Sequence, residues 1–281
     1  MKLGLVAHCY RERVHNAEDP LLEAIQIAGE QGLTVVAAPM RDWRDPRRRD
    51  AWNAARLDAG VELEAGWGFD FVRATDDEAA ASLDTLAEML DVLFVPLGVR
   101  IVGTCARTHR WLKDPPRAEH LARMAARLRP AAELCAERGV TLALENHADY
   151  RGREIAQVIR EVDSPGLGAR LDTANAIWTF EDPLECAEAL APLAVTTHVK
   201  DLKIIPVGRW EGAVLGEGDA QVAAQIALLA EQSPAGADLH LIAEVEAIPE
   251  GVDKTEAANR SLELLRQQAA RLASSDQEGQ L

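Results

Sequence analysis

Residues 139–172 read GVTLALENHADYRGREIAQVIREVDSPGLGARLD. A glycine precedes a short apolar run, 140–145, in which Thr141, Ala143 and Glu145 share one face while Leu142 and Leu144 take the other. The next stretch, 153–162, spaces its apolar residues at helical intervals, and a second apolar run at 167–172 ends in Asp172. A strand, a helix and a second strand in immediate succession form a βαβ unit, whose crossover makes the two strands parallel.

The pattern extends in both directions over all 281 residues. Further strands are expected at 3–7, 33–38, 61–64, 99–104, 195–200 and 239–244. Further helices are expected at 20–30, 45–59, 76–97, 117–138, 183–190, 221–232 and 254–272. Gly32, Gly60, Gly98 and Gly139 stand where helices stop and strands follow. Eight strands alternating with eight helices predict an α/β chain folded as a closed (β/α)8 TIM barrel. It is expected to be a single domain over 1–273, with a polar, frayed tail at 274–281. The competing open sheet for a dinucleotide would want GxGxxG after the first strand, where the chain instead reads AHCYRERVHN (7–16).

Thirty Lys and Arg against 46 Asp and Glu leave a formal charge of −16, which repels phosphate backbones and anionic lipid. Nucleic acid and membrane are therefore not expected partners. No run approaches the roughly 18 apolar residues of a membrane span, and the opening is too polar for an export signal, so the expected location is cytoplasmic. Cys9, Cys105, Cys135 and Cys186 are too dispersed for a zinc knuckle or a disulfide framework and are expected to be reduced.

Barrel enzymes place their chemistry at the C-terminal tips of the strands. Glu145 ends the fifth strand, and Asp172 ends the sixth in phase with Gly168 and Arg170. His198 shares an inward row with Thr196 and Lys200 on the seventh. On the eighth, Ile242, Glu244 and Glu246 share a face, so period alone leaves two carboxylates open; Glu244 is preferred because it directly ends the apolar run. One acid at a strand end is ordinarily a helix cap or a solvated residue, and one His a structural hydrogen bonder. Four such residues in phase at four consecutive tips are much harder to explain that way. Three carboxylates and an imidazole at one mouth concentrate negative potential that a divalent cation would neutralise. An oxygen-rich set with one His favours Mn²⁺ or Mg²⁺, with Co²⁺ next, over a thiolate zinc site. Glu145, Asp172, His198 and Glu244 are the expected ligands.

The segments ENH (145–147), LDTAN (171–175), HVKD (198–201), LGEGD (215–219) and AEVE (243–246) together resemble the sugar phosphate isomerase/epimerase superfamily, the xylose isomerase-like TIM barrels. The resemblance covers essentially the whole chain, with its specific motifs between Glu145 and Glu244. It implies the same four metal ligands and makes Glu145 and Glu244 the acid/base pair. The implied activity is isomerisation or epimerisation of a small keto-sugar, inosose or sugar acid through a metal-stabilised enediolate. The same site would serve a lyase: a decarboxylase of an oxo-sugar acid such as 3-oxo-isoapionate, or a dehydratase of inosose or dehydroshikimate type. The family's abasic-site endonucleases need a cationic DNA track that a charge of −16 opposes. A non-catalytic sensor would not require both Glu145 and Glu244. Asn175 departs from the ketose epimerases, which tend to carry His there.

Expected substrate contacts are His147, Asn175 and Lys200 beside the ligands, His8 after the first strand, and Trp67 stacking on a sugar face. Lys200 has the alternative role of neutralising nearby acids, and Trp67 that of packing. Arg107 belongs to a basic island with His109, Arg110 and Lys113 that suits an anionic substrate. Arg47 to Arg49 read as a solvated helix start or a subunit contact, and LGEGD as a tight turn near the mouth. The expected partners are thus a small carbohydrate, with an anionic one accommodated, and further copies of the chain in a homo-oligomer, a dimer or tetramer.

Overall fold

The computed structural model describes residues 1–108 and 110–278; His109 and residues 279–281 lie outside them. In chain order the strands are β1 (Lys2–Val6), β2 (Val35–Ala37), β3 (Glu62–Gly66), β4 (Ile101–Thr104), β5 (Thr141–Glu145), β6 (Leu167–Asp172), β7 (Ala194–Val199), β8 (Leu202–Ile205), β9 (Arg209–Gly212) and β10 (His240–Ala243). All but β8 and β9 pair in parallel and close into a barrel of order β1-β10-β7-β6-β5-β4-β3-β2. This is the (β/α)8 TIM barrel the alternation predicted. The helices are α1 (Arg11–Asn16), α2 (Pro20–Glu30), α3 (Pro46–Ala59), α4 (Asp76–Met89), α5 (Arg117–Glu137), α6 (Gly152–Val162), α7 (Asn175–Trp178), α8 (Pro183–Leu190), α9 (Val222–Gln232) and α10 (Lys254–Glu278). Among the described residues, no helix is long and apolar enough to cross a membrane.

Helix starts follow their local chemistry. Asp19, Asp45 and Asp182 accept from backbone N–H groups of the first turns of α2, α3 and α8, each of which has proline at its head. Thr75 and Glu78 form a reciprocal capping box on α4. Gly60 ends α3 at φ +64°, a left-handed conformation that glycine adopts without penalty. The outward rows of the strands, including Leu142, Leu144, Ala169 and Leu171, are fully buried beneath the helices. A smaller apolar cluster of Val35, Ala37 and Ile242 fills part of the lumen.

Several boundaries differ from the sequence expectation. Ala7 opens a 3₁₀ turn, Ala7–Tyr10, instead of ending β1. The helix expected over 76–97 widens after Met89 into a π turn, Leu90–Phe94, that buries Leu90, Leu93 and Phe94. The helix expected to stop at 272 runs to Glu278, into the stretch read as tail. Residues 202–212, where no strand was expected, form the antiparallel hairpin β8–β9. Leu202 and Gly212 at its base are buried, but Lys203, Ile204, Arg209 and Trp210 are exposed, so it has no alternating buried row for periodicity to reveal.

Candidate metal centre

Register staggers the tip residues by height. Glu145 pairs with Arg170 across β5 and β6, Asp172 with His198 across β6 and β7, and His198 with Ile242 across β7 and β10. Glu145 therefore rises from one layer, Asp172 and His198 occupy the next, and Glu244 follows just beyond β10. One donor atom each of Glu145, Asp172 and His198 lies within 4.8 Å of the others. His198 Nδ1 is 3.4 Å from Glu145 Oε2 and 3.5 Å from Glu244 Oε2, bridging the two glutamates. All four residues are at least nine-tenths buried. Glu246 lies at the rim with its side chain 40% exposed, so of the two eighth-strand candidates Glu244 is the one that reaches His198.

The backbone turn after β6 fixes Asp172. Its Oδ1 accepts from the N–H groups of Ala174 (2.9 Å) and Asn175 (2.8 Å), leaving Oδ2 to face the centre. Asn146 clamps the same residue from the side: its Oδ1 accepts from Asp172 N (2.8 Å) and its Nδ2 donates to Asp172 O (2.9 Å). Asn175 Nδ2 donates to Glu145 Oε1 at 3.3 Å, so Asn175 orients a carboxylate. Below this layer, Arg170 donates to Glu64 Oε2 (2.7 Å), while Glu64 Oε1 accepts from Thr196 (2.6 Å) and lies 2.6 Å from His240 Nδ1. Gly103 leaves the space the Arg170 guanidinium takes; a Cβ there would overlap it.

Burial and neighbouring charge set the protonation states. Burial pushes the Glu145 carboxyl up to about 7. Burial opposes ionisation of Glu244 as well, but neighbouring cationic groups outweigh it, and near pH 7 the Lys200 ammonium at 3.0 Å holds that carboxyl below the ordinary range. Burial lowers His198 to about 3, so its imidazole is neutral near pH 7 with a lone pair to give. Both His198 ring nitrogens are buried without a hydrogen-bond partner in the described structure. Orphaned buried nitrogens carry a desolvation cost, and a cation held among the carboxylates would satisfy Nδ1, the nitrogen that faces them. The donor set fits a divalent ion that prefers oxygen ligands.

The other sequence-predicted residues are placed as follows. Lys200 is buried, and its Nζ lies 2.9 Å from Asp172 Oδ2, 3.0 Å from Glu244 Oε2 and 3.0 Å from Glu246 Oε1. Three carboxylates thus engage the ammonium that was expected to meet substrate. His8 Nε2 stands 3.5 Å from Glu244 Oε1. Two adjoining cavities of about 450 and 400 Å³ open beside the centre and share Gly66, Met89 and Arg170 in their walls. His198 and Arg41 line the first; Glu145, Trp67 and Arg107 line the second. Trp67 also packs against Phe69 and Phe71 and donates its indole N–H to Ser82 O, which fixes its ring in place. His147 is exposed and lines neither cavity. Arg47 pairs with Asp45 and Arg48 with Asp19, in keeping with a solvated helix start.

Sequence reasoning missed Asn146, the Glu64–Arg170 pair and Asp201. Asn146 adjoins Glu145 in ENH, but nothing in a strand's period shows that its amide reaches the next strand. Arg170 sits in phase with Asp172, and a charged residue on an inward row was the available signal. Asp201 Oδ2 accepts from Gly216 (2.9 Å) and Gly218 (3.0 Å), and its Oδ1 from Ala220 (3.0 Å), which ties the LGEGD turn to the end of β7.

Solved structures of L-ribulose 3-epimerase and of D-psicose 3-epimerase from Clostridium cellulolyticum superpose on this chain with TM-scores of 0.76 each. Their identities are 17% and 14%, covering 100% and 97% of this chain and 98% and 99% of theirs. At those identities the likeness establishes the fold alone. A 3-oxo-isoapionate decarboxylase of Pectobacterium atrosepticum is 30% identical over 167 residues, 58% of this chain and 54% of that protein, so the match spans about half the relative's length. A family model described as xylose isomerase-like TIM barrel matches residues 23–268, and the chain belongs to that family.

Proposed function

We propose that the protein is a divalent-metal-dependent isomerase or epimerase of a small keto-sugar or sugar acid. The observation that carries this reading is the convergence of Glu145 Oε2 and Glu244 Oε2 on one nitrogen of His198, Nδ1, at 3.4 and 3.5 Å, beside an open cavity at the barrel mouth. Glu145, Asp172, His198 and Glu244 would hold Mn²⁺ or Mg²⁺, or Co²⁺. When bound, the ion would polarise a substrate carbonyl and offset the charge that develops on deprotonation.

Glu244, kept ionised by its neighbours, is suited to take a proton from the carbon beside the carbonyl. Glu145, which converges with it on His198 Nδ1, is suited to return one. Return to the neighbouring atom gives an isomer; return to the opposite face gives an epimer. Asn175 keeps Glu145 in place, and Asn146 does the same for Asp172. Trp67 offers a fixed apolar wall against which a sugar face can lie.

A second reading, decarboxylation of an oxo-sugar acid, is favoured by the cavity walls. Arg41, Arg107 and Arg170 line them in a chain of charge −16, and guanidinium groups suit a carboxylate. The decarboxylase relative supports the same option. Exposed Trp111, Phe180, Ile204 and Trp210 favour a homo-oligomer.

The test is product analysis by NMR in deuterated water, with Mn²⁺-loaded protein and a panel of ketopentoses, ketohexoses and oxo-sugar acids. Deuterium at the carbon beside the carbonyl with no loss of mass is the expected result. Release of carbon dioxide or water would replace it with the lyase reading. Glu145→Gln and Glu244→Gln should each lower turnover about 10²- to 10⁴-fold with unchanged circular dichroism; full activity in either contradicts the acid/base pair.

A further inference from the structure

We infer that Lys200 is a tethered counter-cation which competes with the divalent ion for its ligand oxygens and thereby weakens ion binding, with Glu246 as the rim anchor that draws the ammonium aside. The inference rests on the metal site proposed above.

Asp172 Oδ1 is committed to two backbone N–H groups, so Oδ2 is the oxygen left for an ion, and the Lys200 ammonium stands 2.9 Å from it. Glu244 Oε2, the oxygen nearest His198, is 3.0 Å from the same ammonium. An oxygen can serve two cations, but cations held on shared oxygens repel each other, and in a buried site solvent screens that repulsion weakly. Lys200 has an alternative partner in Glu246 at 3.0 Å, whose side chain is 40% exposed and closest to solvent of the three. Among the described residues, no other Lys or Arg forms an ion pair with Glu246. Two cations can therefore coexist if the ammonium moves toward the rim.

Formal charge agrees with that division. An ion that displaces the Glu145 proton meets three negative charges, from Glu145, Asp172 and Glu244, and Lys200 cancels one. A divalent ion then brings the centre to neutrality, while the nearby Arg170 is already offset by Glu64 at 2.7 Å. Without Lys200 the centre would retain a net negative charge even when loaded, so a divalent ion would bind more tightly. Without either cation, three buried carboxylates would face one another uncompensated.

The experiment is calorimetric titration of MnCl₂ into the metal-stripped full chain, with thermal melts in chelator and in excess Mn²⁺. Lys200→Met should tighten Mn²⁺ binding by about tenfold or more. It should also lower the melting temperature in chelator and widen the gap between metal-free and metal-loaded melts. Unchanged or weaker Mn²⁺ binding in Lys200→Met overturns the inference, the weaker case showing that Lys200 holds the ligands in place. Glu246→Gln gives an independent reading if Lys200→Met does not fold. With its anchor gone the ammonium should settle on Asp172 and Glu244, so Mn²⁺ binding should weaken several-fold. Unchanged or tighter binding in Glu246→Gln overturns it. Wild-type protein that binds no Mn²⁺ would overturn the metal-site reading itself, whereas wild-type binding with an unaltered Lys200→Met affinity removes only the role of Lys200.

Discussion

Asp149 shows how one buried acid can report on the chemistry around it. It is 1% exposed, and burial pushes its carboxyl up to about 6, against the opposing pull of His147 and of nearby backbone N–H groups. The folded chain thus holds this proton to about pH 6, whereas the unfolded chain releases it near 3.8. The folded state binds more protons in that window, so this group's contribution to stability falls as pH rises through it. Asp149→Asn should therefore be more stable than wild type by roughly 2–3 kcal/mol at pH 8, with the gain vanishing toward pH 4. Urea midpoints measured against pH check this; a gap independent of pH would mean the charge is compensated. The same residue scale marks where sequence reading stopped. Alternation put Glu145, Asp172, His198 and Lys200 on inward rows, and the structure has all four there. Alternation carries no information on reach, so it did not separate a Lys200 that meets substrate from one held by three carboxylates. It also did not reveal that Asn175 contacts Glu145.

At the scale of elements, the barrel strands and the helices between them were legible because glycine marks several helix stops, as at Gly32, Gly60, Gly98 and Gly139, and each barrel strand has a buried face. The β8–β9 hairpin was not legible, since Leu202 is buried only at its base while Ile204 and Trp210 are exposed, which leaves no alternating apolar row. Asp201 is the tie between that hairpin, the LGEGD turn and the end of β7. Gly218 is packed so closely against the Asp201 carboxylate that a Cβ would overlap it. Asp201→Ala removes the acceptor from the N–H groups of Gly216, Gly218 and Ala220 and should cost about 2–4 kcal/mol. A fall in the melting temperature of several degrees is expected. An unchanged melt would show that water replaces the carboxylate at no cost.

For the molecule as a whole, a closed barrel brings residues far apart in sequence to one rim, and its stagger presents Glu145 below Asp172 and His198, which share a layer, with Glu244 above them. The exposed aromatic residues lie on segments near that rim, where Trp178 and Trp210 stack at 3.8 Å between ring centroids. Light scattering should give a mass of two or four chains, and Trp210→Ser should shift it toward one; a wild-type monomer would remove the oligomer from the proposed function. The most direct test of the metal centre is an anomalous difference map from crystals grown with Mn²⁺. One peak per chain is expected, roughly 2.0–2.3 Å from oxygens of Glu145, Asp172 and Glu244 and from a nitrogen of His198. No peak there, or a peak held only by His8 and Glu246, would contradict it.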